Sequence, residues 1–365
     1  MQKKDIVIFT SRNRFFGQTR KPWSSLDVEK IVAVLQLNDF KVQVYDFHEL
    51  VNRPVEIKDK LVFYAFSQKD NYRQYIRDVM YHLSKHNKII PSYDLLKCHE
   101  NKGYQELFKR EIGLQSLQAG YYTSYREVDI DRLEFPVVLK TIQGTNGKGV
   151  FLLRNKADFF KVVKKLSHPL GLFTHLDLLR RKYFRKKKFS EYPDFSDRRD
   201  YEEYREYLRV EEDFVLQQYV PNLDFDYRVL VACGRYYVMK RSVKNGDFRA
   251  SGSKLFNFSK VPDQGLLNYA RSVYEKFDTP FLSLDVMFDG KNYFLGEFQA
   301  LHFGMSVMAK SEGFFGHLGE SEWAFVEEKP DLEKIFGKTL VSYLGRSCKP
   351  KKLQLKVLQP EFLLQ

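Results

Sequence analysis

The sequence has few cysteines and no long apolar segment, and these two absences narrow the class of protein. Its three cysteines, Cys98, Cys233 and Cys348, lack the spacing of a metal site, and three in 365 residues are too few for a disulfide framework. No apolar run reaches the roughly 18 residues that a membrane-spanning helix needs. The opening stretch MQKKDIVIFTSRNRFF has too short an apolar core for a secretory signal. We therefore expect a cytoplasmic protein without a transmembrane segment.

The sequence also lacks several familiar catalytic and phosphate-binding motifs. The glycine-rich stretch GTNGKGV reads Gly147-Lys148-Gly149, so it fits neither a P-loop nor the G-x-G-x-x-G dinucleotide fingerprint. No Ser-His-Asp or Cys-His signature is recognisable, so no protein nucleophile is expected. Phosphate binding, if it occurs, needs another type of loop.

Positive charge is plentiful and partly local. The formal net charge is +13, and RRKYFRKKK at 180–188 carries seven basic side chains in nine positions. An acidic stretch follows it closely, so we expect a solvated, charged helical insertion over about 167–212. The alternative that the run at 180–188 recruits nucleic acid or another acidic polymer remains open.

The first 96 residues alternate between short apolar strands and helical patterns, which predicts a small parallel α/β domain. A helix should start after Ser24 or Ser25, either of which would be its N-cap. Ligands bind such sheets at the carboxyl ends of the strands. The arginine-rich loop at 10–23, which follows the first strand, is therefore a candidate substrate-facing element.

The stretch PVVLKTIQGTNGKGVFLL at 136–153 predicts two strands joined by a glycine-rich loop. Because a strand instead of a helix follows the loop, no helix N-terminus is offered to phosphate. Glycines would let backbone N–H groups approach phosphate oxygens, while Lys140 adds a positive charge from the first strand.

A second hairpin, FLSLDVMFDGKNYFLGEFQAL at 281–301, brings carboxylates together. With a three-residue loop at 290–292, Asp285 would stand opposite Glu297, with Cβ atoms roughly 5 Å apart. Gln299 shares the strand face of Glu297. Such oxygen ligands suit Mg²⁺. The opposite, core-facing side of this hairpin is predicted to contain Val286, Phe288, Phe294 and Phe298.

The order of several elements along the chain resembles that of ATP-grasp enzymes, most closely the subgroup of the ribosomal-protein glutamate ligase and glutathione synthetase. These elements are Lys140, the glycine hairpin, the segment LQQYV, a basic hairpin and the pattern Asp285…Glu297-x-Gln299. The resemblance covers about 97–310 and implies an α/β fold in which two β-rich lobes clamp ATP. It implies a domain at 1–96, an ATP-grasp domain at 97–320 with a lid lobe at about 130–220, and a helical tail at 321–365.

The resemblance also implies a set of site residues. Those implied to bind ATP are Lys102, Lys140, the flap residues Gly144, Thr145, Asn146, Gly147 and Gly149, the hinge residues Gln217, Gln218, Tyr219 and Val220, and Asp226, with Asp224 as an alternative ribose contact. Those implied to act on the γ-phosphate and the activated carboxylate are Arg228, Arg241 and Arg249. The implied ligands of Mg²⁺, or of Mn²⁺ as an alternative ion, are Asp285, Glu297 and Gln299.

Two features depart from the family pattern. Gln299 stands where the family usually has asparagine, and its amide oxygen lies one methylene further from the backbone. The insertion at 167–212 is not part of the common pattern. Neither departure removes the expectation of ATP binding. Both weaken any inference from the family to the identity of the substrates.

The implied activity is ATP-dependent ligation of a small-molecule or peptide carboxylate to an amine through an acyl phosphate. Two alternatives remain open: a kinase acting on an anionic small molecule, and a basic protein that binds nucleic acid or an acidic polymer. His302, just after the predicted metal ligands, is expected to be a hydrogen-bonded structural residue and not a substrate contact.

Overall fold

The computed structural model describes residues 4–18, 23–53, 55–114, 117–144, 147–168, 170–184, 197–244, 246–261, 263–318 and 322–345. These residues form two compact units. The first unit combines the segments before residue 118 and after residue 219, and the second consists of residues 118–219. Within the described ranges, no helix is both long enough and apolar enough to cross a membrane.

The first unit begins with a four-stranded parallel sheet in the order β2-β1-β3-β4. All four strands lie where the alternating apolar pattern predicts them, so the predicted parallel α/β arrangement is confirmed. The strands are β1 (Lys4–Thr10), β2 (Phe40–Asp46), β3 (Leu61–Tyr64) and β4 (Lys88–Ile90); the helices are α1 (Val28–Gln36), α2 (Phe47–Asn52), α3 (Asp70–Ser84), α4 (Tyr93–Cys98) and α5 (Lys102–Glu111).

The start of α1 differs from the prediction. Asp27 is its N-cap, and its side chain accepts hydrogen bonds from the backbone N–H groups of Glu29 and Lys30. Ser25, a predicted cap, instead accepts a hydrogen bond of 2.8 Å from the backbone N–H of Phe16. The serine therefore stabilises the loop after β1, and the aspartate two residues later caps the helix.

The second unit contains a four-stranded antiparallel sheet in the order β5-β10-β6-β7. Apolar side chains of α6, including Phe159 and Val163, pack with Leu139 and Leu216 of the sheet. The elements are β5 (Ala119–Tyr122), β6 (Val137–Thr141), β7 (Val150–Leu153), α6 (Lys156–Leu166), β8 (Ser167–His168), α7 (Leu172–Phe184), α8 (Arg198–Tyr207), β9 (Val210–Glu211) and β10 (Phe214–Gln218). Most of the described part of the predicted insertion is helical, as expected, but the short strands β8 and β9 pair with each other at its two ends.

After residue 219 the chain returns to the first unit and builds a larger antiparallel sheet in the order β15-β14-β11-β12-β16-β17, with β13 paired to β12. The strands are β11 (Phe225–Ala232), β12 (Arg235–Ser242), β13 (Phe256–Asn257), β14 (Phe281–Phe288), β15 (Tyr293–Gln299), β16 (Gly313–Leu318) and β17 (Glu322–Glu327); the helices are α9 (Gln264–Tyr274), α10 (Ser306–Lys310) and α11 (Leu332–Leu344).

The two sheets of the first unit share one apolar core. Phe336 of α11 is fully buried and stacks on Phe281 of β14 with ring centroids 4.3 Å apart; the same cluster contains Leu35 of α1 and Phe63 of β3. The segment predicted as a helical tail thus begins, in its described part, with the strand β17, and α11 is part of the core. The N-terminal sheet is not a separate body, because α1 and α11 join it to the larger sheet.

Candidate active site

The hairpin of β14 and β15, called the acidic hairpin below, places Asp285 directly opposite Glu297, as predicted. The turn length and the strand register that produce this pairing differ from the prediction. Strand β14 ends at Phe288 and strand β15 begins at Tyr293, so the loop between them has four residues, 289–292, instead of the predicted three. A β-bulge after Asp285 leaves Gly296 without a partner and restores the predicted pairing.

The same bulge changes the core-facing side of the hairpin. Val286 lies opposite Leu295, and both side chains are fully buried. Phe294, which was predicted to face the core, instead pairs with Met287 on the other side. This prediction was wrong because one unpaired residue inverts the alternation of every position between the bulge and the turn.

Two arginines on neighbouring strands hold Asp285. Arg228 of β11 lies opposite it and donates from Nε to Oδ1 at 2.7 Å and from Nη2 to Oδ2 at 2.9 Å. Arg241 of β12 donates from Nη2 to Asp285 Oδ2 at 3.0 Å. It also donates from Nε and Nη2 to the two oxygens of Asp226, at 2.6 and 2.7 Å. The four side chains therefore form one network across β12, β11 and β14.

The network stabilises the charges of Asp285 and Arg241, whereas burial raises the pKa of Asp226 in spite of Arg241. Burial alone would raise the pKa of Asp285, but the positive charges of Arg228 and Arg241 and their hydrogen bonds lower it well below its usual range. Burial alone would lower the pKa of Arg241, but Asp285 and Asp226 raise it. With Glu297, three carboxylates stand against two guanidinium groups, which leaves one formal negative charge.

Only some of the carboxylate lone pairs in this network are available to bind a divalent cation. Oδ2 of Asp285 already accepts two N–H groups and Oδ1 accepts one, so about one lone pair remains on Oδ1. Gln299 lies beside Glu297, with Nε2 3.4 Å from its Oε1. One carboxylate oxygen, one further carboxylate and one amide oxygen are the hard ligands that Mg²⁺ prefers.

No group of three acidic, histidine or cysteine side chains in the described ranges forms a metal site on its own. A cation at this position would therefore need the amide of Gln299, together with oxygens from phosphate or water, which Mg²⁺ commonly keeps. The residues present fit such an ion.

Lys102 begins α5, whose N-cap Asn101 accepts a hydrogen bond from Tyr104 N at 2.9 Å. The lysine is buried. Gln105, one turn further, accepts a hydrogen bond of 3.3 Å from the backbone N–H of Phe298. The helix that carries Lys102 is thus attached to the strand that carries Glu297.

A buried ion pair on α5 was missed by sequence reasoning. Lys109 is 1% exposed and donates from Nζ to Glu106 Oε1 at 2.6 Å. Oppositely charged residues three positions apart usually lie on a solvated helix face, so the sequence alone gave no reason to place this pair in the interior.

In the second unit, Lys140 of β6 contacts Gln217 of β10, with 2.6 Å between Nζ and Oε1. Lys140 pairs with Val215, so Gln217 is its diagonal neighbour on the same sheet face. Gln217 is buried. Two of the predicted nucleotide contacts therefore lie within hydrogen-bonding distance of each other.

The predicted glycine hairpin is present: β6 and β7 pair antiparallel, and Thr141 N donates to Gly149 O at 2.8 Å. Gly144, Gly147 and Gly149 all have positive φ, which favours glycine. At Gly149 a side chain would also collide with Thr141 Oγ1. The predicted flap residues Thr145 and Asn146 lie outside the described residues.

The predicted hinge, Gln217 to Val220, coincides with the boundary of the two units. The second unit ends at Tyr219, and the first unit resumes at Val220. Gln218 N donates to Gln118 O at 2.8 Å, so this amide is already used.

Arg249 follows β12 in a loop and forms a two-pronged ion pair with Asp247, with both N–O distances 2.9 Å. These hydrogen bonds and two backbone N–H groups lower the pKa of Asp247 to about 2. The structure thus brings Arg228 and Arg241 together with Asp226 and Asp285, whereas Arg249 is positioned by its own loop.

His302 differs from its predicted hydrogen-bonded role. Its ring lies 4.9 Å from the rings of both His99 and Phe66, and no ring nitrogen of the two histidines has a well-formed hydrogen bond in the described structure. The backbone of Gly17 offsets part of the effect of burial on the pKa of His302. Burial lowers the pKa of both histidines, that of His302 to about 4. Both rings are therefore neutral at neutral pH. His99 carries no sequence signal that could have identified it.

Comparison with protein families agrees with this geometry. Residues 98–188 match the model of the RimK-like ATP-grasp domain. The match includes Lys102, Lys140 and the glycine hairpin, and it confirms the predicted recognition and enzyme class. The chain carries an ATP-grasp domain of the type found in ADP-forming carbon–nitrogen ligases. A comparison with curated proteins found no match.

Several solved structures are similar to this chain. D-cycloserine synthetase DcsG is 11% identical, with a TM-score of 0.50 over 93% of this chain and 99% of that one. The ATP-grasp ligase PsnB, solved with precursor peptide PsnA2 and AMPPNP, is 11% identical, with a TM-score of 0.49 over 94% and 99%. A RimK domain ATP-grasp protein from Sphaerobacter thermophilus DSM 20745 is 9% identical, with a TM-score of 0.44 over 83% and 93%. The likeness to DcsG confirms the predicted fold class.

Proposed function

We propose that this protein is an ATP-dependent carboxylate–amine ligase that forms an amide bond and releases ADP and phosphate. The observation that carries the proposal is the network of Arg228, Arg241, Asp226 and Asp285 beside Glu297, in a chain with a RimK-like ATP-grasp domain. We place the reaction in the cytoplasm, where ATP is available.

The chemistry requires activation of the carboxylate. A carboxylate does not react with an amine at neutral pH, because oxide is a poor leaving group. Transfer of the γ-phosphoryl group of ATP to a carboxylate oxygen gives an acyl phosphate and ADP. The amine then attacks the acyl carbon, the C–N bond forms, phosphate leaves with the C–O electron pair, and the amine loses a proton to solvent.

The arginines would stabilise the charge that builds up during transfer. Asp226 and Asp285 orient both guanidinium groups before any ligand binds, so little reorganisation is needed during the reaction. The remaining N–H groups of Arg228 and Arg241 would donate to phosphate or carboxylate oxygens. We extend the same role to Arg249.

A cation would be held by Glu297, Gln299 and the free lone pair of Asp285. When bound, Mg²⁺, or Mn²⁺ in its place, neutralises phosphate oxygens and favours transfer. The one negative charge that remains in the network favours cation binding.

In the second unit, Lys140, Gln217 and the backbone of the glycine hairpin are the proposed nucleotide contacts. In the first unit, the proposed nucleotide contact is Lys102. Lys140 would donate to phosphate. The hinge residues Gln218, Tyr219 and Val220 would supply backbone groups to adenine. Asp226 gives both oxygens to Arg241, so we assign it to holding that arginine, which leaves Asp224 as the better ribose candidate.

The test uses the full chain with ATP, Mg²⁺ and a mixture of small-molecule and peptide carboxylates, with hydroxylamine as the amine. A ligase is expected to release ADP and form a hydroxamate, detected by mass. A stable phosphate ester instead would identify a kinase, and binding of DNA or polyglutamate without ADP release would identify a basic binding protein. Either result would overturn the proposal.

Glu297→Gln is the matched variant, because it keeps the side-chain shape and removes the charge. Glu322→Gln, exposed on β17, is its control. Hydroxamate formation should be lost in the first variant and retained in the second.

A further inference from the structure

Helix α7 carries an apolar stripe that faces solvent. Leu172, Leu176, Leu179 and Tyr183 recur at i, i+4, i+7 and i+11, so they lie along one side of the helix. Phe173 and Phe184 extend this stripe on one side. The exposed fractions are 72% for Leu172, 86% for Phe173, 52% for Leu176, 48% for Leu179, 66% for Tyr183 and 81% for Phe184.

The opposite side of α7 is the one that packs against the protein, and it is mostly polar. Leu178 is its one buried residue among those described. Arg181 pairs with Asp177 on the same helix and lies over the ring of Tyr204 in α8, 5.2 Å from its centroid. The usual arrangement, with the apolar face inward, is therefore reversed on this helix.

Basic side chains lie beside and within the stripe. His175 and Lys182 border it on one side, and Arg180 lies between the main row and the two phenylalanines; all three are exposed. Over residues 172–188 the sequence contains seven lysines and arginines and one acid, Asp177.

We infer that α7 is an interfacial helix that docks this protein on an anionic lipid surface. An acidic polymer would match the positive charge but would leave six large apolar side chains in water. A second copy of the chain could cover the apolar stripe, but it would bring two positively charged helices together. A bilayer with anionic headgroups satisfies both features.

The dimensions of the helix suit this role. Thirteen residues span about 20 Å, too short to cross a bilayer and long enough to lie along its surface. The stripe residues would enter the boundary between headgroups and acyl chains, with aromatic rings near both helix ends. Arg180 pairs with Asp177, and Lys182 lies over the ring of Tyr201 in α8. At the lipid surface both side chains would exchange these contacts for lipid phosphates.

The test measures co-sedimentation of the full chain with vesicles of phosphatidylglycerol and phosphatidylcholine, compared with phosphatidylcholine alone. We expect binding to the anionic vesicles that weakens as salt is raised. The triple variant Leu172→Ser, Leu176→Ser, Leu179→Ser should bind at least tenfold more weakly. A matched control, Leu37→Ser, Leu255→Ser, Val261→Ser, removes exposed apolar side chains elsewhere and should bind as the wild type does.

A second variant, Arg180→Gln with Lys182→Gln, separates charge from apolar contact. It should lose affinity for anionic vesicles and show a weaker salt dependence. The inference is overturned if the wild type does not bind anionic vesicles, if the control loses as much binding as the stripe variant, or if the stripe variant abolishes self-association or polymer binding instead.

This inference is independent of the proposed ligase activity. ATP turnover by the stripe variant, measured without vesicles, should equal that of the wild type. If the wild type binds anionic vesicles as expected but shows no ATP turnover, the result would count against the ligase and not against the membrane contact.

Discussion

The two hairpins predicted to meet ATP are built in opposite ways. In the acidic hairpin of β14 and β15, Asp285 is held by two arginines from neighbouring strands before any ligand is present. In the glycine hairpin of β6 and β7, three of the six described loop residues have positive φ, and Lys140 adds a positive charge from β6. Carboxylates need partners to stay buried, whereas a loop that offers backbone N–H groups needs conformational freedom instead.

This difference has a consequence for mutation. In the acidic hairpin, stability and chemistry should be separable residue by residue, because Asp285 is held by buried ion pairs with two arginines whereas Glu297 contacts the amide of Gln299. In the glycine hairpin, stability and turnover should change together, because both depend on the backbone conformation of the glycines.

The largest effect should come from Asp285→Ala, which leaves Arg228 and Arg241 without their shared carboxylate. Removing one partner of a buried ion pair costs about 3–5 kcal/mol in free energy of unfolding. Urea denaturation measures the loss. Asp289→Asn, in the turn of the same hairpin, keeps an acceptor for the backbone and should cost under about 1 kcal/mol. Equal losses in both variants would contradict the structural role of Asp285.

Glu297→Ala should have the converse effect. We expect ATP turnover to fall by about 10²–10³-fold, the usual size when one electrostatic contact to the transition state is lost. Its free energy of unfolding should stay within about 1 kcal/mol of the wild type. Steady-state ADP release and urea denaturation provide the two readouts. Wild-type turnover would refute the assignment.

Lys140→Ala should lower ATP turnover by about a hundredfold while the fold stays intact, because a positive charge beside phosphate is lost. Lys161→Ala on the exposed side of α6 is the control and should behave as the wild type. ADP release across a range of ATP concentrations measures both variants. Comparable activity of the two would remove Lys140 from the site.

A smaller effect is expected from Gly149→Ala. Its φ of +72° costs an alanine about 1–2 kcal/mol, and the new methyl group would collide with Thr141 Oγ1. We expect modest loss of stability together with reduced turnover. Gly234→Ala also has positive φ but no neighbour within 4 Å, so it should show the stability loss alone.

The smallest effect concerns pH. Because the pKa of Asp285 is lower in the folded chain than in the unfolded one, its contribution is present above about pH 4 and is lost as pH falls towards the folded value. Denaturation between pH 7 and 3 should show a shallower acid loss for Asp285→Asn than for the wild type. Gly149→Ala should keep the wild-type slope, since no titrating group is removed.

Local patterns predicted much of this fold. Alternating apolar runs located all four parallel strands, and a glycine-containing turn located the hairpin of β14 and β15 in the larger sheet. The pairing of Asp285 with Glu297 was also predicted, although from a three-residue loop and no bulge. The turn is one residue longer than predicted, and Gly296 is one residue without a partner in β15. These two differences offset each other, so the predicted pairing is still formed.

The contacts that were not predicted join residues far apart in sequence. Arg228 and Arg241 meet Asp285 because β14 inserts next to β11, and no local pattern states which strands become neighbours. The pairing of His99 with His302 likewise depends on a long-range approach. The cap of α1 was placed wrongly for a local reason: Ser25 and Asp27 are both good caps, and the competing bond to Phe16 decides between them.

The two chain crossings between the units lie side by side. Gln118 and Gln218 are hydrogen-bonded to each other, and β5 pairs with β10 immediately beyond them. Residues 118–219 thus form a module whose two ends are adjacent, as in domains that have been spliced into a host surface loop. Because its two ends are adjacent, insertion of this module requires only a small gap in the surrounding chain.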